Sequence, residues 1–72
     1  MLPEEVERLR GQYTDQYVVA DAERPELARF AGRKGQVKTI NMNGRALVQF
    51  DGADHAWYDI ELSHLRFTEK PE

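Results

Sequence analysis

The chain has 72 residues, 40% of them hydrophobic, with 10 Lys and Arg against 13 Asp and Glu for a net charge of −3. That length suits one domain over residues 1–72 with a single small core. The absence of cysteine excludes a disulfide framework and a thiolate metal site.

The first predicted element is a helix over residues 2–10, within an N-terminal segment 1–12. Pro3 suits the first helical position, and Glu4 and Glu5 suit the positive end of the helix dipole. Leu2, Val6, Leu9 and Tyr13 fall on one stripe. Glu4 and Arg8 form an i,i+4 pair on the polar side. Gly11 is the expected stop. So short a helix needs a docking surface, either the rest of this chain or a partner's groove.

Tyr17-Val18-Val19-Ala20 reads as a strand. A loop follows from Asp21 to Gly32, in which residues 25–30 make one helical turn with Leu27 and Phe30 inward. A strand runs from Gly35 to Asn41. Val37 and Ile40 differ in parity there, so a bulge or an early end is expected. Asn43-Gly44 is a hairpin signal and predicts a type I′ turn. Ala46, Val48 and Phe50 share one face of the returning strand. A polar turn covers residues 51–55, a strand 57–60, a 3₁₀ turn 61–64 and a last strand 65–67. Residues 68–72 read as a frayed tail.

Five short strands with one long early loop fit a small barrel. The order is strand, long loop, strand, tight hairpin, strand, loop, strand, 3₁₀ turn, strand. It predicts a mainly β fold: a five-stranded SH3-like barrel over residues 17–67 with a short N-terminal α-helix. An OB barrel is the rival, but residues 51–56 are too few for the helix it carries between its third and fourth strands.

Charge is unevenly placed. Residues 1–23 carry −4, residues 24–45 carry +5 and residues 46–72 carry −4. Arg29, Arg33, Lys34, Lys38 and Arg45 lie in the basic middle third. They are either a solvated face paired with acidic segments or a phosphate-contacting surface. Lys38 should point to solvent, opposite Val37. If Tyr58 and Ile60 face the core, Trp57 faces out, where it either receives the helix stripe or stacks a base or peptide. The stripe needs an apolar landing site, which favours the first.

No enzymatic constellation emerges. Ser63 is the lone serine, and its neighbour His64 is poorly placed to activate it. His55 and His64, with Asp51, Asp54, Asp59 and Glu61, match no metal-ligand spacing and read as exposed turn residues. An acid–base pair from Asp51 and Asp54 would need a cleft. Gly32-Arg33-Lys34-Gly35 is too short for a phosphate loop and precedes a strand. No cofactor, metal or catalytic residue is expected.

Residues 30–40, with the frame Gly32, Gly35, Val37, Ile40, resemble the KOW motif of ribosomal and transcription-elongation proteins. Residues 24–35 are similar to a loop of nitrile hydratase beta subunits. Residues 46–50 and 59–65 are similar to the variable subunit of ferredoxin-thioredoxin reductase. The first resemblance implies RNA or ribosome binding. The others imply an accessory barrel that clamps a larger protein.

Two functions are therefore expected. The preferred one is a non-enzymatic protein-interaction module or accessory subunit using the helix, Trp57 and residues 51–61. The alternative is a KOW-like RNA-binding module using Arg29, Arg33, Lys34, Lys38 and Arg45, with Trp57 beside them. A negative net charge is unusual for a nucleic-acid binder. No run approaches the roughly 20 apolar residues of a membrane span, and residues 1–5 have no signal-peptide character. A cytoplasmic protein without a membrane partner is expected.

Overall fold

Alternation along the strands decides which residues meet. Val18, Val37, Val48 and Ile60 all turn inward and are buried. The computed structural model describes residues 1–52 and 55–71. Its elements are α1 (Pro3–Tyr13), β1 (Tyr17–Ala20), a 3₁₀ segment Pro25–Phe30, β2 (Gly35–Ile40), β3 (Ala46–Phe50), β4 (Tyr58–Ile60), a 3₁₀ turn Leu62–His64, and β5 (Leu65–Phe67). The strands form one antiparallel sheet in the order β4-β3-β2-β1-β5. The fold is mainly β with one short N-terminal helix, as the element order predicts.

Leu27 and Phe30 of the first 3₁₀ segment are buried beneath the sheet. The Phe30 ring stacks on Phe50, with centroids 4.0 Å apart, and meets Tyr58 edge-on at 4.9 Å. Gly35 makes room for this packing. A Cβ there would lie 2.6 Å from Val48 Cγ1 and 3.0 Å from the Phe50 ring. The register of β2 against β3 shifts between Val37 and Thr39. The extra residue, Lys38, lets Val37 and Ile40 both reach the core, so the parity conflict resolves as a bulge.

Several expectations need correction. α1 runs through Gly11 to Tyr13. A Cβ at Gly11 would meet nothing within 4 Å, so packing does not call for glycine there; the helix carries it at a propensity cost and ends at Tyr13, shortly before Asp15 turns left-handed with φ 67°. The helix polar side pairs Arg10 with Glu7 at 3.3 Å rather than Glu4 with Arg8. Arg10 Nε also donates to the Ile40 carbonyl at 3.0 Å, pinning α1 to β2. Within the stripe Val6 is buried and Leu9 and Tyr13 pack against the core, but Leu2 is exposed.

The hairpin is not type I′. Only Gly44 has positive φ, at 78°, and Asn43 does not. The Gly44 amide donates to the Asn41 carbonyl, and the Asn41 amide donates to the Arg45 carbonyl, both at 2.9 Å. This is a three-residue loop with its left-handed residue at Gly44. The Asn41 side chain holds it by accepting from the amides of Asn43 (2.9 Å) and Arg45 (3.0 Å). β2 correspondingly ends at Ile40, so that Asn41 belongs to the turn.

The tail is not frayed as far as Pro71. The Thr68 amide donates to the Tyr17 carbonyl at 2.8 Å, and Lys34 Nζ donates to the Glu69 carbonyl at 3.1 Å. Pro71 is half-buried. No helix among the described residues is long and apolar enough to cross a membrane.

Candidate interaction surfaces

Arg45 does not converge with Arg33 and Lys34. Arg33 and Lys34 precede β2, while Arg45 precedes β3 at the opposite end of the hairpin. Five residues of strand, roughly 16 Å, separate those ends. Each cation also lies against a group of its own chain. Arg29 lies over the Phe30 and Tyr58 rings, 4.8 and 4.6 Å from their centroids. Arg33 Nη1 donates to the Asp51 carbonyl at 3.4 Å. Lys38 is half-buried rather than fully turned to solvent, its Nζ donating to Gln36 Oε1, two residues before it on the same face, at 2.8 Å. Arg45 pairs with Asp59 across β3 and β4. The basic and acidic segments thus meet in part within the fold.

Trp57 lies outside β4 and is 54% exposed. It faces out, as the inward turn of Tyr58 and Ile60 requires, but it is not the landing site of the helix stripe. α1 lands on β2 instead, through Val6 and the Arg10 bond to Ile40.

The stripe's outer end forms a surface that sequence spacing did not reveal. Met1 reaches Gly44, where a Cβ would stand 2.6 Å from the Met1 Sδ and 3.9 Å from Leu9 Cδ1. Met42 belongs to the same loop. Met1, Leu2 and Met42 are 59%, 56% and 59% exposed. At the other end of α1, Tyr13 packs on the exposed Phe67, with centroids 5.0 Å apart.

A groove of about 310 Å³ lies on the sheet's outer face near the opposite end of the hairpin. Tyr17 pairs with Gln36, and Gln36 with Gln49, so their side chains form one row across β1, β2 and β3. Lys34, Asp51, His55 and Pro71 complete the walls. Gln49 Nε2 lies 3.2 Å from the His55 carbonyl and 3.4 Å from its Nδ1. The outward parity of Gln36 and Gln49 was readable in the sequence, but the wall formed by Pro71 was not. A second cavity, of about 490 Å³, is lined by polar residues, among them Asp21, Glu23, His64 and Arg66.

His64 turns to Glu61, 3.4 Å away. Among the described residues no group of three His, Asp or Glu side chains is placed to hold a metal. Asp54, one half of the carboxylate pair considered with Asp51, lies outside the described residues. Comparison with known proteins gives no matching family model, no similar curated protein and no similar solved structure.

Proposed function

We propose that this chain is a non-enzymatic interaction module, cytoplasmic, that docks on a larger protein partner. The observation that carries this reading is the exposure of Met1 and Leu2 at the start of α1 and of Met42 in the β2–β3 loop, whose Gly44 Met1 reaches. Isolated exposed apolar residues are ordinary, whereas gathered ones mark contact surfaces. Methionine suits such a surface because its flexible thioether adapts to the shape it meets. The accessory-barrel resemblance of residues 24–35, 46–50 and 59–65 agrees with this role.

The competing reading is a KOW-like RNA- or ribosome-binding module. It requires Arg29, Arg33, Lys34, Lys38 and Arg45 to present one phosphate-contacting surface. Their separation along the hairpin and their contacts within the chain weigh against it. A mobility shift of the chain on mixed single-stranded RNA tests the choice. The docking reading expects weak binding at about physiological salt. Tight binding that falls with a log–log slope of about −0.7 per phosphate, and that Arg33→Glu, Lys34→Glu and Lys38→Glu together abolish, would establish the RNA reading instead.

A further inference from the structure

Arg29 differs from the other cations of residues 24–45. Arg24 pairs with Glu26 at 3.9 Å and Arg45 pairs with Asp59. Arg33, Lys34 and Lys38 each donate to an oxygen of the chain. Arg29 has no oxygen partner among the described residues. Its guanidinium lies instead over two rings, 4.8 Å from the Phe30 centroid and 4.6 Å from that of Tyr58. Glu26, the one acidic residue of residues 24–45, turns to Arg24, so it does not neutralise Arg29.

The shelf under Arg29 is fixed by the core. Phe30 is buried, stacks on the buried Phe50 and meets Tyr58 edge-on. Ring faces attract the charge but offer no oxygen to the five N–H donors of the guanidinium. Arg29 is exposed, so an oxygen from outside the chain can reach those donors. We infer that Arg29 is a preset receptor for a carboxylate of the docking partner, an Asp or Glu side chain in an acidic segment. The inference rests on the protein-docking reading above and names the chemistry of the partner.

Three arguments favour a carboxylate. The planar fork of a guanidinium matches the two oxygens of a carboxylate through two parallel N–H···O bonds. The rings hold the side chain before binding, which reduces the rotamer entropy a long exposed side chain otherwise loses on association. Trp57, 54% exposed, immediately precedes Tyr58, and Trp, Tyr and Arg are the residues enriched at the energetic centres of protein interfaces. A nucleic-acid backbone presents a run of phosphates and calls for several cations together. Arg33, Lys34, Lys38 and Arg45 are each engaged with an oxygen of this chain, which leaves Arg29 without them.

The test follows the arginine Nε–H resonances of the intact chain during titration with acetyl-Glu-Glu-Glu-Glu-amide. Arg8 and Arg66 are also exposed and serve as internal controls. The Arg29 resonance should move first, with a dissociation constant about tenfold lower than those reported by Arg8 and Arg66. Resonances of Phe30, Trp57 and Tyr58 should move with it, and the matching Gln peptide should move none of them. Arg29→Lys keeps the charge and loses the fork, and should weaken the peptide by about tenfold. If that variant does not fold, the titration of the parent chain still decides. Equal responses at Arg8, Arg29 and Arg66 would overturn the inference, as would an equal effect of the Gln peptide or undiminished binding by a folded Arg29→Lys chain. Tighter binding of oligouridylate that moves Arg29 together with Arg33 and Lys34 would also overturn it, in favour of RNA. No partner protein is used, so the receptor can fail while the docking reading stands. Conversely, a captured protein that survives Leu2→Asp with Met42→Asp would remove the docking reading without moving the Arg29 resonance.

Discussion

Met1 closes over Gly44, so two residues 43 positions apart share one point of the surface. Gly44 has φ 78°, and a Cβ added there would meet the Met1 Sδ at 2.6 Å. The backbone of the loop requires the glycine, whereas the exposed, flexible Met1 side chain could shift to admit a Cβ.

Gly44→Val should destabilise the fold by on the order of 1–3 kcal/mol, from left-handed strain in a β-branched residue and displacement of Met1. Asn43→Ala should cost much less, because Asn43 does not carry the positive φ. Asn41→Ala should fall between them, losing the acceptor for two amides, at about 1 kcal/mol. Thermal melts of the three variants check the ranking. Equal losses at Asn43 and Gly44 would restore the type I′ turn.

Gly35→Leu should be among the most damaging changes in the sheet. Its backbone is unstrained, so the effect comes from Val48 and Phe50, at roughly 1–3 kcal/mol for overpacking. Gly35→Ala should show a smaller loss. A urea midpoint unchanged by Gly35→Leu would show that the two side chains yield without cost.

Much of this architecture was legible from residue pattern. The start of α1 at Pro3, the buried Leu27 and Phe30, the bulge in β2 and the inward face of β3 all follow from local rules. Parity at Val37 and Ile40 calls for a bulge or an early strand end, of which the bulge is present, and alternation at Ala46, Val48 and Phe50 needs no knowledge of the partner strand. What was not legible depends on distant contacts. The helix continues past Gly11 to Tyr13, which packs on the core and on Phe67, and the turn type follows from the Asn41 side chain rather than from Asn43-Gly44 alone. The tail is held by Tyr17 and Lys34, far away in sequence. Met1 reaches Gly44 only because α1 packs along β2, a contact between residues far apart in sequence.

The two ends of the helix stripe should behave differently. Val6 is buried within the core, so Val6→Ala should cost about 1–3 kcal/mol. Deleting residues 1–12 removes that side chain and the Arg10 bond to Ile40, and should lower stability and raise binding of dyes that report exposed apolar surface. Leu2→Asp, at an exposed position, should stay within about 0.5 kcal/mol of the parent. A Val6→Ala melt that matches the parent would mean that α1 does not contribute to this core.

The most direct test of the docking reading is quantitative capture from the protein's own cells, comparing the intact chain with a Leu2→Asp, Met42→Asp double variant of equal melting temperature. The account predicts that a defined protein is retained stoichiometrically by the intact chain and lost with the double variant. Retention of that protein by the double variant would contradict the account, as would capture in which RNA, not protein, is the component that distinguishes the intact chain from its Arg33→Glu, Lys34→Glu, Lys38→Glu variant.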